Sequence, residues 1–311
     1  MKIIRIWQMA ALAAVMAAGT AMGGGPDAKD IPADAKAYVH FDTSLLRDSR
    51  FLKAFREEMG ASNPVDKGLN DISMVAGVHL LEDMDGLTFY SPTLAEGEGV
   101  LLMYGKVNAD AVLKHVEAFP QHIAQPYGDH SIHSWFDQGR HATVAGMVSE
   151  KMIMWADSVE RMKTALDVVD GKKEGKYALA EDFPKGAMFG AGVSDMKGFA
   201  KKPDQWILLL AKSVHISLSE DKSGVVKAIV TAGMADAEEA GQLRKVAEGL
   251  QAFAALNKEK LPGVDKLVSA VKIETEGARA RASLERPAEG VFADIKTIQR
   301  VMGKGKGKEQ E

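Results

Sequence analysis

Three hundred and eleven residues exceed one average domain and invite a division into two. With 46% apolar and 26% charged residues and a mean hydropathy of −0.12, the composition excludes a disordered chain and supplies a sizeable core. Thirty-nine Lys and Arg against 43 Asp and Glu give a net charge of −4, which argues against an electrostatic nucleic-acid binder. The absence of cysteine excludes disulfides, thiolate metal sites and a lipid-modified N-terminal cysteine.

The chain opens with Lys2 and Arg5, runs through an Ala-rich apolar stretch from Ile6 to Ala18, and continues Gly19-Thr20-Ala21-Met22-Gly23. That order is expected of a secretory signal peptide over residues 1–23, cleaved after Ala21 or Gly23 so that the mature chain begins between Met22 and Pro26. The apolar run is short for a membrane span, which needs about 20 residues. Cleavage removes two positive charges and takes −4 to −6. Residues 24–30 are expected to form a flexible linker, and 303–311, where glycine alternates with charge, a disordered charged tail.

Between these ends one pattern of elements occurs twice. In the first half, Ala37–Phe41 alternates as a strand, and Asp42 to Ser44 cap a helix to about Met59. Strands follow around Met74–Tyr90 and Val100–Val107, then a helix capped by Asn108 with Val112, Leu113, Val116 and Phe119 at helical spacing. Three more strands, His130–Phe136, Ala142–Val148 and Met152–Trp155, lead to a helix opened by Asp157 or Ser158. In the second half, Ala187–Val193 is a strand and Ser194-Asp195 cap a short helical turn. Trp206–Leu218 and Gly224–Gly233 form a hairpin, and Asp236 opens a helix to about Lys258 that is expected to bury Leu243, Val246, Leu250 and Phe253. Leu267–Thr275 and Ala278–Leu284 form a second hairpin. Pro287 then starts a final helix carrying Phe292, Ile295 and Ile298 inward, to about Met302. Val78-His79-Leu80 and Val214-His215-Ile216 are expected in matching strands. The fold class is therefore α+β: tandem lobes at 31–180 and 181–302, mainly antiparallel sheet covered by helices, each with its own core. The joint is expected within Gly171–Pro184, which is charged and turn-rich.

Several pieces resemble a loosely defined family of exported bacterial proteins of unknown function, found in planctomycete-like genomes. They are Pro32-Ala33-Asp34-Ala35, the stretch from Tyr127 to Trp135, the stretch from Ala165 to Gly171, and Val271–Arg286 before Pro287. The resemblance implies the fold and an exported location, and lends no catalytic residues.

His115, His122, His130, His133 and His141 fall close together and raise the question of a metal site. His130 and His133 are three apart on a strand and leave opposite faces. With a two-residue turn at Gln138-Gly139, residue pairs add to 277 and His141 lies across from Phe136, far along the strand from His130. His115 and His122 lie on or just past a helix. No metal ligand set is expected. Ser194-Asp195-Met196-Lys197 reads S-x-x-K, but the same spacing recurs at Ser219–Lys222 and Ser269–Lys272, and the companion S-D-N and K-T-G motifs are absent. Glu57-Glu58, Glu82, Asp83, Asp85 and Glu238-Glu239 read as solvated carboxylates. Asp83-Met84-Asp85-Gly86 echoes a calcium loop, with Leu94 where the twelfth-position Glu belongs. Met147, Met152, Met154 and Met162 gather near Trp155 and read as gap-filling core or a soft groove.

What remains is a non-enzymatic exported protein without cofactor, periplasmic or secreted, offering a sheet face or an inter-lobe cleft to an envelope protein or a small apolar ligand. The alternative is an envelope hydrolase or metal-dependent protein built on the histidine-rich hairpin.

Overall fold

In the computed structural model, residues 25–294 are described except 60–69, 71, 72, 74–77, 96, 107, 138–140, 150, 200–209 and 258–263; residues 59, 109, 136, 137, 141–149, 264 and 265 are described by backbone alone. The expected signal peptide and the charged tail lie outside the described residues.

Twelve strands form one antiparallel sheet. In chain order they are β1 (Ala37–Phe41), β2 (Met84–Ser91), β3 (Val100–Gly105), β4 (Ile123–Tyr127), β5 (His130–Asp137), β6 (His141–Ser149) and β7 (Met152–Ala156), then β8 (Phe189–Val193), β9 (Ser213–Glu220), β10 (Val225–Gly233), β11 (Lys272–Glu276) and β12 (Arg279–Pro287). Across the sheet the order is β11-β12-β10-β9-β8-β1-β2-β3-β7-β6-β5-β4. The mixed helices and antiparallel sheet are the α+β class that the alternating patterns predict. Outward from β1 and outward from β8 the first four strands follow one rule: three strands consecutive in sequence, then the last strand of that half, β7 or β12.

The sheet does not stop between the halves. β1 pairs with β2 on one side and with β8 on the other, Val39 lying opposite both Phe89 and Ala191. Both edge strands are poor templates for further pairing: β4 contains Pro126, and β11 reads Lys-Ile-Glu-Thr-Glu.

Helices cover both faces. They are α1 (Thr43–Arg47), α2 (Arg50–Met59), α3 (Ala109–Glu117), α4 (Val159–Val169), the single turns α5 (Ala178–Glu181) and α6 (Met196–Phe199), then α7 (Ala237–Leu256) and α8 (Val264–Ser269); residues 288–294 are also helical. Side-chain caps start four of them as their sequences predict: Asp42, Asn108, Ser158 and Asp236 each accept a backbone N–H three residues on. The helix expected from Asp42 to Met59 is two helices, because Ser49 intervenes and its hydroxyl accepts from Leu52 N.

One face carries Tyr38, Tyr90, Val100, Leu102, Ile132 and Met154, packed under Met162, Ala165 and Leu166 of α4 and under Tyr177 and Ala180 around α5. On the other, Trp135, Ile153 and Trp155 meet Val112 and Val116 of α3. The methionines near Trp155 are thereby divided. Met154 and Met162 are fully buried on the face opposite Trp155, so they fill core rather than line a groove.

The expectation of two separate cores is corrected by the third cluster. Leu45, Leu46, Phe51, Leu52 and Phe55 of α1 and α2 pack on Met188, Phe189, Val226, Ala288 and Phe292 of the second half. The start of α2 is capped from that half too: Glu220 accepts from Arg50 N and Phe51 N at 3.3 and 3.1 Å. The expected joint is also stitched down. Ala33 N donates to Glu174 O, and Lys176 N and Tyr177 N both donate to Ala28 O. Gly175 lies against the Lys29 carbonyl, where a Cβ has no room.

Four local expectations change. Residues 78–83 form turns ahead of β2, so His79 is not in a strand and does not match His215. The strand expected from Trp206 begins at Ser213, and 200–209 lie outside the described residues. Leu267 lies in α8, and β11 follows only from Lys272. The β5–β6 register adds to 278, placing His141 opposite Asp137. β4, which Pro126 hides from a propensity reading, is additional.

Two outcomes are expected. A fragment of residues 182–302 strips β1 from one side of β8 and leaves Phe189, Val226 and Phe292 uncovered, so circular dichroism on heating shows no cooperative transition; a sharp transition would contradict the shared core. A Cβ at Gly192 meets the Tyr38 ring at 2.6 Å. Gly192→Ala therefore costs about 1–3 kcal/mol in denaturant unfolding, and an unchanged midpoint would show that the ring moves freely.

Candidate binding surface

α7 is the longest described helix, and it is inverted relative to its sequence pattern. Asp236 caps it, and Glu239 reaches back to Ala235 N at 3.0 Å, a reciprocal start that its spacing predicts. Its inward line is made of small and polar residues. Ala240 and Ala254 are buried and Ala247 half-buried, while Gln251 donates to Val268 O and Val271 O at 2.9 and 2.7 Å, holding the end of α8. Of the expected stripe only Leu243 packs inward, against a cluster with Val193, Val214 and Ala232. Val246, Leu250, Phe253 and Leu256 are 44, 54, 60 and 85% exposed. These values correct the expectation that Val246, Leu250 and Phe253 are core. Alanine at the contact lets the helix lie close to β11 and β12, and the bulky side chains then have room only outside.

The sheet beside it is also bare. Ile216 and Val230 are direct cross-strand partners, 37 and 40% exposed. By strand alternation they share the face of Val214 and Ala232, on which Leu243 packs. The row continues through Ala191 on one side and through Ala282 and Ile273 on the other. Thus a helical stripe and an apolar row lie on one sheet face. Around the edge of β11 a shallow depression of about 600 Å³ is lined by Arg244, Arg279, Arg281, Glu274 and Glu276. Its arginines are largely engaged, Arg244 with Glu248 at 2.7 Å and Arg279 with Asp182 at 3.0 Å.

The histidines fall into three settings. His130 Nε2 lies 2.8 Å from Asp170 Oδ1, at the end of α4, and Lys172 joins the same carboxylate at 2.8 Å. The hydrogen bonds from Lys172 and then His130 hold Asp170 below the usual carboxylate range. His133 points to the opposite side, as its spacing predicts, and there meets His122, with Nδ1 and Nε2 2.9 Å apart. Sequence spacing could not show that contact, because the turn after α3 creates it. His115 packs edge-on to Phe119. Among the described residues, no three His, Asp or Glu side chains gather where an ion could be held. Ser194 Oγ donates to the carbonyls of Ala35 and Lys36, and Asp195 accepts from Gly198 N, which makes Ser194–Lys197 a helix start. Glu57, Glu58, Glu82, Asp83, Asp85, Glu238 and Glu239 are exposed, and Asp83 accepts from His79 N within a turn.

One polar cluster was hidden from sequence reasoning. Tyr38 OH donates to Leu179 O at 3.3 Å and lies 2.8 Å from His215 Nε2. With the hydroxyl proton on that carbonyl, His215 Nε2–H donates to the Tyr38 oxygen. Burial pushes the Tyr38 hydroxyl up and the His215 imidazole down, so both are neutral near pH 7. They join β1 to β9 through α5.

No protein-family model matches the chain, and no curated protein matches it. One solved structure with some likeness is crystal form I of TP0453: 12% identity, 88% of this chain and 97% of that chain covered, TM-score 0.48. A likeness of that size carries no argument about function. Among the described residues, no helix is long and apolar enough to cross a membrane.

The electrostatics predict a pH effect. His215 binds its proton less readily folded than unfolded, so its neutral form favours the fold. Its contribution is level above the ordinary imidazole value of 6.5 and declines as pH falls below it. Asp30, Asp42 and Glu220, raised by burial, act in the opposite sense in the carboxylate range. The Tm of His215→Gln should therefore fall less between pH 7 and 5 than that of the parent protein. Parallel curves would remove His215 as a source of acid sensitivity.

Proposed function

We propose that the protein is a non-enzymatic binding protein that takes a small apolar ligand, or the apolar face of an envelope partner, against the outer stripe of α7 and the Ile216–Val230 row. The exposure of Val246, Leu250, Phe253 and Leu256 on one helix carries this reading. Scattered surface apolar residues need no explanation, whereas a contiguous stripe beside an apolar sheet row marks a binding surface. Each such side chain moved fully out of water contributes about 1.5–3 kcal/mol, enough for a handful to hold a ligand. The export reading of residues 1–23 suits a partner in the periplasm or outside the cell. The S-x-x-K spacing at Ser194 adds no support for serine chemistry, since that hydroxyl is engaged with backbone carbonyls.

An environment-sensitive apolar dye titrated into the purified protein is the test. Saturable binding is expected, weakened at least ten-fold, or about 1.4 kcal/mol, in Leu250→Ser/Phe253→Ser. Because both side chains are largely exposed, the variant should keep the parent Tm. Equal binding by parent and variant would place the surface elsewhere.

A further inference from the structure

β4 has almost no core of its own. Ile123, Ala124 and Pro126 are exposed, Gln125 and Tyr127 half-buried, and Pro126 gives no N–H to the ladder. As the outermost strand it is held along one side only, by β5. Polar side-chain contacts pin the two ends of this hairpin. At the turn end, Tyr127 OH donates to Asp167 at 3.0 Å, and His130 meets Asp170 at 2.8 Å, which fastens Gly128-Asp129 to the end of α4. At the open end the pin is the His122–His133 contact. Their ring centroids are 5.1 Å apart with planes 19° apart, while the nitrogens are 2.9 Å apart. Rings with those two separations meet end to end, so this is one N–H···N hydrogen bond rather than a face-to-face stack.

We propose that the His122–His133 pair is a proton-operated latch on the open end of this edge hairpin. An N–H···N bond needs one neutral acceptor nitrogen. With no added proton, one imidazole donates to the other. With one added proton, one ring carries the charge and still donates to the neutral nitrogen of the other. With two, both facing nitrogens bear hydrogens and both rings are positive, so the bond is lost and repulsion replaces it.

The cross-strand neighbours of His133 are Ala124 on β4 and Ala145 on β6, neither titratable. From α3 the charged group acting on it is Glu117, which favours protonation, against burial and His122, which oppose it and together hold His133 below the ordinary imidazole value. His115, on the same helix, packs on Phe119, which stacks on Trp135. The turn end responds to acid in the other sense, because a protonated His130 binds the Asp170 carboxylate more strongly. Acid therefore loosens β4 from its His122 end while Gly128-Asp129 stays fastened.

Imidazole ¹⁵N spectra and amide hydrogen exchange, followed from pH 8 to 4.5 on the purified protein, test this. Two titration steps separated by more than one pH unit are expected for the pair. Protection of Ile123–Gln125, corrected for intrinsic exchange, should fall at least ten-fold across the second step, with Tyr127 and His130 unaffected. His122→Gln keeps a donor and adds no charge, so it should abolish that fall. His122→Ala, which removes the bond at all pH values, should show low, pH-independent protection there. A single step near the ordinary imidazole value for both rings, or the same loss of protection in His122→Gln, would overturn the latch.

Discussion

The pairing of β1 with β8 is the constraint on which the rest of the structure depends. It is possible because β8 presents Gly190 and Gly192 to the face on which Tyr38 and Phe183 lie. A Cβ at either position would stand 2.5–2.6 Å from an aromatic ring. Without those atoms the Tyr38 ring lies across Gly192, its hydroxyl reaches Leu179 and His215, and Phe183 covers Gly190. One aromatic residue of β1 thus touches the segment that joins the halves and a strand of the second half at once. Two strands of five residues could not hold twelve strands together through ladder hydrogen bonds alone, given a net value of about 0.5–1.5 kcal/mol each. The buried rings add the area that makes the junction a core.

From that junction the helices follow. Because β8 continues the sheet beyond β1, α1 and α2 leave β1 and find Phe189 and Val226 beside them. α2 then needs an acceptor for its first N–H groups, and Glu220 at the end of β9 stands there, its carboxyl pushed up by burial yet bonded to two donors. The same junction leaves the far part of the second half with less cover. α7 reaches the sheet with alanines and one leucine, and its bulkiest residues stay outside. The candidate binding surface is a consequence of where cover runs out.

The polar groups sort by the same geometry. Those at the centre, Tyr38, His40 and His215, are buried and paired across the sheet, His40 Nδ1 lying 2.8 Å from Thr88 Oγ1. They fix register, since a one-residue slip would turn each to the opposite face. Those at the edge, His122, His130 and Tyr127, hold a strand that has little apolar area of its own. Histidine can serve both places because its neutral form tolerates burial and its charged form does not.

The sequence by itself determined the elements whose cause is local. Alternation fixed β1, the hydrophobic spacing fixed α3 and α4, and Asp42, Asn108, Ser158 and Asp236 marked helix starts through contacts within four residues. It also determined that His130 and His133 diverge, which follows from a two-residue period alone. Tertiary structure decided what depends on residues far apart in the chain. Periodicity says that a helix has an apolar stripe but not that a neighbour will be there to bury it, and so Val246, Leu250 and Phe253 read as core and lie outside. The His122–His133 contact needed the turn after α3, and the shared core needed β8 to settle beside β1, 148 residues after that strand ends. Spacing within an element is set by backbone geometry and is written in the sequence; which surfaces meet is set by competition among all of them at once, and only the folded chain resolves it.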